Sequence, residues 1–585
     1  MTSARFSKLA TTGLPVLRNM LTVLAVLWAM SCFLPKLPIW ITDNGNKYIV
    51  MRNFAETGSV AVRHPAPEFF PTGGFHFVRH RGAIRSFYPE YYPVAASWWW
   101  KLTGDGGLKW LSMLGTAVAV GLMSLCMRRH RLTPMLLAFA TPMLFFSFLL
   151  WEMTWSVCAM LAVGMLVQKK RYAIAGAVLG ASLLLREEAY FFAFALTVAL
   201  ACRRDFKGAV KFLIGMAMTV LPIWMYQYRE FGHVFGLHGG NYYANNRTDG
   251  EFSLSRELIG ALWNYYHHLL RFDAFHDAWE RLNFWCVLPA AVAVVLGGFT
   301  ARNFDRLKVA IGAVAVAGWL VLVWGFLCRN TGTEAFSAAF VTGAIGSNPL
   351  FLPFYLNWRR VWRSRSRTIR NAAVTICVYL LIVPPLMTRH DIGLIYGARH
   401  FLCIMPLMLF LSANFFRRSF LPKRLNSVTT GAESDTRLTV EKRWHRVMPL
   451  AAGGLAMALQ FGAFTALVNV ARESAELEQL IGAMPEQTLI TDPFFIPEQT
   501  PHLFFSKTLL QLDDGNTAAL ARYVKEHREK EFILVLSADP RFRQISNTGL
   551  AEFLNTAEPT APAMRFRRTP GSGFMDLHIV RCRLK

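Results

Sequence analysis

The 585-residue chain is 54% hydrophobic and 14% aromatic, with only 17% charged residues, which is too apolar for a soluble protein of this size. Its formal net charge of +25 invites a nucleic-acid reading, but the basic residues cluster in short segments between long apolar runs, the pattern of a membrane protein with positive charge inside. The nine cysteines have neither metal nor disulfide spacing, and most lie within or beside apolar runs, as Cys126, Cys158 and Cys377 do.

In chain order, apolar runs long enough or nearly long enough to cross a hydrocarbon core of about 30 Å predict an α-helical polytopic membrane protein of about thirteen transmembrane helices. They fall at 14–34, 107–126, 132–151, 153–168, 172–185, 189–202, 207–227, 284–300, 307–327, 337–357, 371–387, 401–416 and 447–469. No convincing small-residue cleavage site follows the first run, so it reads as a retained span. With a cytoplasmic N-terminus, the basic clusters Arg5–Arg18, 128–131, 169–171, 203–211, 302–308, 359–370 and 417–446 all face the cytoplasm, and the rest of the chain is nearly balanced in charge. The predicted domains are a transmembrane domain, 1–469, with large outer loops at 35–106 and 228–283, and an extracytoplasmic α/β domain, 470–585.

The first outer loop opens with ITDNGNKYIVMRNFAETG (Ile41–Gly58). Asp43 stands where it would cap a helical run from Lys47 to Thr57 that Gly58 ends. It also stands just outside the membrane surface, in a loop rich in aromatic and basic residues: Arg63, His64, Phe69, Phe70, His76, Arg79, His80 and Arg85. That mixture suits a lipid-linked anion, with aromatic rings at the interface and cations for phosphate. SFYPEYYPVAASWWW (Ser86–Trp100) follows, its prolines at 89 and 93 setting an extended entry and a helix start; the plain alternative is an interfacial aromatic belt.

Further along, charged residues sit at the outer ends of spans. Glu152 separates the third and fourth spans, Arg186, Glu187 and Glu188 separate the fifth and sixth, and Arg399 and His400 precede a later one. Each group reads either as a solvated loop tip or, because tight hairpins hold charge near the bilayer, as a functional cluster. The spans at 172–185 and 189–202 hold only about 14 residues, roughly 21 Å of helix. The sequon-like Asn246-Arg247-Thr248 in the second outer loop reads as a chance occurrence. A polar segment, 426–446, reads as a flexible linker. In the C-terminal segment, TLITD (Thr488–Asp492), FILVLS (Phe532–Ser537) and FMDLHIVRC (Phe574–Cys582) read as strands, and Asn516–Lys530 as a helix.

The ordered series DNGNKYIVMRNFAETGS, SFYPEYYPVAASWWWKLTG, Glu152, LLREEAYFF, FGHVFGLHGGNYY and YGARHFLCIMPLMLFL resembles the polyprenyl-phosphate-sugar-dependent membrane glycosyltransferases of the GT-C superfamily, of the lipid A aminoarabinose transferase and protein mannosyltransferase type. The resemblance covers roughly residues 14–416 and lies in the order of degenerate motifs, FYPEYYP and YGARHFLCIMP above all. It implies an inverting enzyme of the plasma (inner) membrane that moves a sugar from a lipid-phosphate carrier to a glycan, lipid or protein acceptor on the outer face. The acidic residue of the first outer loop, Asp43 here, would activate the acceptor, and Glu152 would be the second catalytic acid. Arg186, Glu187, Tyr88, Tyr92, Arg399 and His400 would contact substrate, the arginines at the carrier phosphate. There is no DxD-like acidic pair, so the expectation is no metal ion and no cofactor.

Two other classes compete with this reading. A flippase or transporter of lipid-linked glycans would carry internal repeats and polar residues at mid-membrane, whereas here the charges gather at outer ends. An enzyme-like scaffold that recruits partners through its C-terminal domain would leave Asp43 dispensable.

Overall fold

The structure is a computed structural model that describes residues 2–35, 42–70, 77–127, 133–237, 358–386, 399–420, 435–493, 495–527, 531–538, 545–568 and 576–585, with isolated positions at 260–354 and at 543. Helix α1 (Thr2–Ser31) is followed by α2 (Thr42–Thr57) and by a hairpin of β1 (Phe77–His80) and β2 (Ala83–Ser86). The hairpin turns on Arg81 and Gly82, whose φ values of +50° and +77° match the right-handed twist of paired strands. Next come α3 (Tyr91–Cys126), α4 (Thr133–Phe139), α5 (Met143–Phe146), α6 (Met153–Gln168), α7 (Tyr172–Ala181), α8 (Glu188–Ala201) and α9 (Phe206–Phe231). Later helices run over Arg367–Leu386, Met405–Phe420 and Asp435–Gly482.

Among the described residues, five helices are long and apolar enough to cross a membrane, within Gly13–Ser31, Tyr91–Cys126, Phe206–Phe231, Arg367–Leu386 and Leu450–Gly482. The chain is thus a multi-pass membrane protein, but five is fewer than about thirteen. Shorter apolar helices at Met153–Gln168, Tyr172–Leu184, Glu188–Ala201 and Arg399–Ala413 account for four more of the expected runs. The expected run 132–151 is not one helix: α4 and α5 are separated at Thr141-Pro142, where proline supplies no backbone N–H and favours a break. The runs at 284–300 and 307–327 lie outside the described residues apart from isolated positions, as do most of the loop 228–283 with its sequon and part of the run 337–357. The expected linker 426–446 is helical from Asp435 onward, and residues 421–434 lie outside the described set.

Close approach between helices is set by small residues. A Cβ on Gly176 would sit 1.9 Å from the Phe212 carbonyl oxygen, one on Gly180 2.0 Å from Thr219 Oγ1, and one on Gly215 1.9 Å from the Ala173 carbonyl oxygen. Gly176 and Gly180 are four apart on α7, so one helix face is bare and α9 lies directly on it, the packing that substitutes for hydrophobic drive inside lipid. In α3, Gly104 takes φ +65° and ψ −169°, a kink just before Asp105 that only glycine adopts at little cost.

At the C-terminal end, β3 (Thr488–Thr491), β4 (Thr508–Gln511), β5 (Glu531–Ser537), β6 (Ala557–Pro559), β7 (Met564–Phe566) and β8 (Leu577–Leu584) form one sheet in the order β4-β3-β5-β8-β6, with β7 also on β8. Strand β3 is parallel to β4 and β5, while β8 is antiparallel to β5, β6 and β7. The predicted helix is present as Thr517–Glu526; β4, β6, β7 and helix Asn547–Asn555 had no counterpart in the sequence reading. The Asp435–Gly482 helix runs unbroken through the boundary expected at 469/470. One face of the sheet packs Ile490, Leu510, Phe532 and Leu534 against Leu520, Val524 and Phe553. The other face packs Leu489, Ile533 and Ile579 with Ile49, Val50, Phe70, Phe77 and Ile84, so the first loop and the C-terminal unit share a core.

Candidate active site

Helix α2 is polar in composition yet buried along its first half, and that combination forces partners onto every side chain. Asn46 Oδ1 accepts from Ser86 Oγ at 2.7 Å, and the Tyr48 hydroxyl donates to Asp105 Oδ1 at 2.9 Å, a carboxylate presented by the kink at Gly104. The helix ends as expected, with Gly58 at φ +71° donating to the Phe54 carbonyl at 2.8 Å. Its start differs from the expected cap: the helix already includes Thr42, so Asp43 lies inside the first turn. There its negative charge still suits the helix N-terminus, but its carboxylate is turned toward other chain segments.

The Tyr88 hydroxyl donates to Asp43 Oδ1 at 2.9 Å, and Arg399 Nη1 donates to Asp43 Oδ2 at 3.0 Å. From Arg399 an unbroken series of contacts leads through the site. Arg399 Nε lies 3.3 Å from His400 Nε2, and His400 Nδ1 lies 2.7 Å from Glu188 Oε1. Glu188 is paired with Arg186, whose Nη1 reaches Glu152 Oε1 at 3.2 Å, and Glu152 Oε2 receives Lys47 Nζ at 3.0 Å. Lys47 is one turn beyond Asp43 on α2, which closes the circuit. Trp151 forms its floor, with Lys47 Nζ 5.1 Å and Arg399 Cζ 5.9 Å from its ring.

Three carboxylates and four bases therefore alternate within one buried cluster, where each pairing offsets the desolvation of its neighbours and removal of any one leaves a charge uncompensated. Burial pulls the Lys47 ammonium below its ordinary value, while Glu152 and Asp43 draw it back up in part. Burial pushes the Tyr88 phenol well above its ordinary value, with Asp43 adding to the effect, so Tyr88 remains a hydrogen-bond donor.

The C-terminal unit closes one side of the cluster. The short helix Ile496–Gln499 packs on the first turn of α2, and a Cβ on Gly45 would meet the Glu498 carbonyl oxygen at 1.8 Å. A few residues on, His502 is gripped from two elements: its Nε2 is 3.3 Å from Asp105 Oδ2 and its Nδ1 3.1 Å from Glu478 Oε1. Its ring lies 4.9 Å from that of Tyr48. Burial opposes charge on His502, but the hydrogen bonds to Asp105 and Glu478 outweigh it and raise its pKa to about 9.

Of the residues expected from sequence, Asp43, Tyr88, Glu152, Arg186, Arg399 and His400 meet in this cluster. Tyr92 is buried beside it, packed with Tyr48 and Leu150. Glu187 is half-buried at the start of α8, its carbonyl accepting from the Tyr190 N–H at 2.9 Å. Sequence reasoning missed Lys47, Trp151 and Glu498 as members and left Glu188 without a role. Lys47 carried a signal, because positions four apart on a helix share a face; Glu498 carried none, being 455 positions from Asp43 by number alone. Among the described residues no group of three or more His, Cys, Asp or Glu side chains is arranged to hold a metal ion.

Chemically, the cluster offers one oriented carboxylate, Asp43, next to several cations in a water-poor setting. Such a pairing can accept a proton at one edge and stabilise an anionic group at the other. No family model matches the chain, and no curated protein matches it. Among solved structures, the chain is similar to the crystal structure of ArnT from Cupriavidus metallidurans bound to undecaprenyl phosphate, at 13% identity over 97% of this chain and 98% of that one with a TM-score of 0.46, and to the apo crystal structure of the same protein, at 14% identity over 98% of each chain with a TM-score of 0.47.

Proposed function

We propose that the chain is an inverting glycosyltransferase of the GT-C type, moving a hexosyl or pentosyl group from a polyprenyl-phosphate carrier to a glycan, lipid or protein acceptor. In this reading the site faces the outside of the plasma membrane, with the N-terminus in the cytoplasm and the C-terminal unit outside. The observation that carries it is the contact of Asp43 with Arg399 and Tyr88 beside the Lys47–Glu152–Arg186–Glu188 series.

Asp43 takes the proton from the acceptor's hydroxyl or amine as that atom attacks the anomeric carbon from the face opposite the phosphate. The bond between the anomeric carbon and the phosphate oxygen breaks, and the polyprenyl phosphate leaves with the electron pair. Because the leaving group is already a good one, a single carboxylate suffices as base. Arg399 and Tyr88 hold the Asp43 carboxylate in one orientation, and a guanidinium can share its remaining donors with phosphate oxygens. Glu152 is engaged by Lys47 on one side and Arg186 on the other, an arrangement that suits fixing two cations better than taking a proton. Tyr92 and Glu187 border this site as packing and outer contacts.

The test uses purified protein and a labelled polyprenyl-phosphate sugar. Asp43→Asn is expected to abolish transfer while leaving expression and carrier binding unchanged. Transfer near the wild-type rate would end the proposal, and transbilayer movement of the lipid-linked sugar without transfer would identify a flippase instead.

A further inference from the structure

The mechanism leaves a buried acid beside the first turn of α2 unused. Glu498 is 1% exposed, its Oε2 is sealed from solvent, and that atom has no hydrogen-bond partner among the described residues. No cation among them pairs with it. Its position is not adjustable: the helix Ile496–Gln499 lies against the first turn of α2, with the Glu498 carbonyl oxygen filling the space that Gly45 leaves open two residues after Asp43. The titratable groups within electrostatic reach of it are Asp43 from α2 and Tyr88 from the segment after β2.

We propose that the C-terminal unit completes the site with Glu498, a positioning residue that stays an uncharged carboxylic acid beside Asp43 and so keeps Asp43 the single negative charge on that wall. The reasoning is one of contrast. Asp43 is paired with Arg399 at 3.0 Å and takes a hydrogen bond from Tyr88, both of which favour its ionised form. Glu498 has neither aid, and a buried carboxyl without a partner cation keeps its proton. Two acids in one site with opposed surroundings divide their roles, one holding a proton and one free to accept it. An ionised Glu498 would make the two carboxyls compete for one proton and would repel an anionic carrier. Burial and the Asp43 charge both act to hold the Glu498 carboxyl well above the usual range, in agreement with the geometry.

This inference rests on the reading of Asp43 as the base, and its test separates the two. The full chain in detergent micelles is titrated by infrared spectroscopy through the C=O stretch of protonated carboxyls, for wild type, Glu498→Gln and Asp43→Asn. The spectrum of wild type minus that of Glu498→Gln is expected to hold a protonated-carboxyl band at pH 7, since Asp492, whose pKa is raised to about 7, contributes equally to both. Asp43→Asn should move its midpoint down by about one pH unit, because a neighbouring negative charge has gone. Binding of undecaprenyl phosphate by wild type should weaken over the interval in which the band disappears, and Glu498→Gln should remove that weakening. A difference spectrum without the band, a band that titrates identically in wild type and Asp43→Asn, or carrier binding with the same pH dependence in Glu498→Gln overturns the assignment. Where band and coupling are found but the wild type transfers no sugar, the neutral acid stands and the glycosyltransferase reading falls.

Discussion

Gly45→Ala is a sensitive probe of how the C-terminal unit is seated. In an isolated helix this change is favourable by about 1 kcal/mol, because alanine is the better helix former. Here the new methyl would lie 1.8 Å from the Glu498 carbonyl oxygen, 2.6 Å from its carbonyl carbon and 2.9 Å from its Cα. All three are backbone atoms, so no side-chain rotation relieves the overlap, and the two helices must part by more than 1 Å. Overpacking of this kind costs about 1–3 kcal/mol, with backbone displacement at the upper end, so the clash outweighs the gain in propensity. Parting the helices also moves Asp43 relative to Tyr88 and Arg399, and a misplacement of about 1 Å at a reacting group lowers rate by about 100-fold. Thermal unfolding should show a lower Tm, limited proteolysis should cut more readily near residues 482–488, and transfer should fall by that order. A Tm equal to or above wild type with full transfer would refute the seating of Ile496–Gln499 on α2 and, with it, the placement of Glu498.

Arg399→Ala should weaken carrier binding and destabilise the protein by about 3–5 kcal/mol, since it strands a buried carboxylate; unchanged affinity for undecaprenyl phosphate would remove Arg399 from the phosphate site. His502 contributes stability through a pKa raised to about 9 from 6.5. That contribution is complete below about pH 6.5 and is lost as pH rises through 9, so His502→Gln should flatten Tm against pH across that window. Asp492, fully buried at the end of β3 and accepting the Ser537 N–H at 2.8 Å, has its pKa raised by burial to about 7. Its folded-state value exceeds the unfolded 3.8, so wild-type stability falls as pH rises from about 4 to 7. Asp492→Asn, which keeps an acceptor oxygen, should raise Tm above pH 7 and match wild type near pH 4.

What the sequence alone determined is set by composition and local periodicity. Apolar runs such as Gly13–Ser31 and Phe206–Phe231 are helices because nothing else satisfies backbone polar groups in lipid. Strands β3, β5 and β8 were legible because β-branched and aromatic residues cluster there between turns, whereas β4 (TLLQ) has one β-branched residue and β6 and β7, three residues each, are too short to leave a pattern. Gly58 announced the end of α2, since only the left-handed conformation ends a helix that way at little cost. The break between α4 and α5, the burial of polar α2 and the continuous helix through 469/470 depend on packing across the chain. The site shows the same division. Asp43, Glu152, Arg186 and Arg399 drew notice as charges near apolar runs, but their pairing was not encoded locally: Asp43 and Arg399 are 356 positions apart and meet only because the helices that carry them converge. Glu498 belongs wholly to the tertiary structure, because a short helix in the C-terminal unit becomes part of the cluster only where Gly45 leaves room for its backbone.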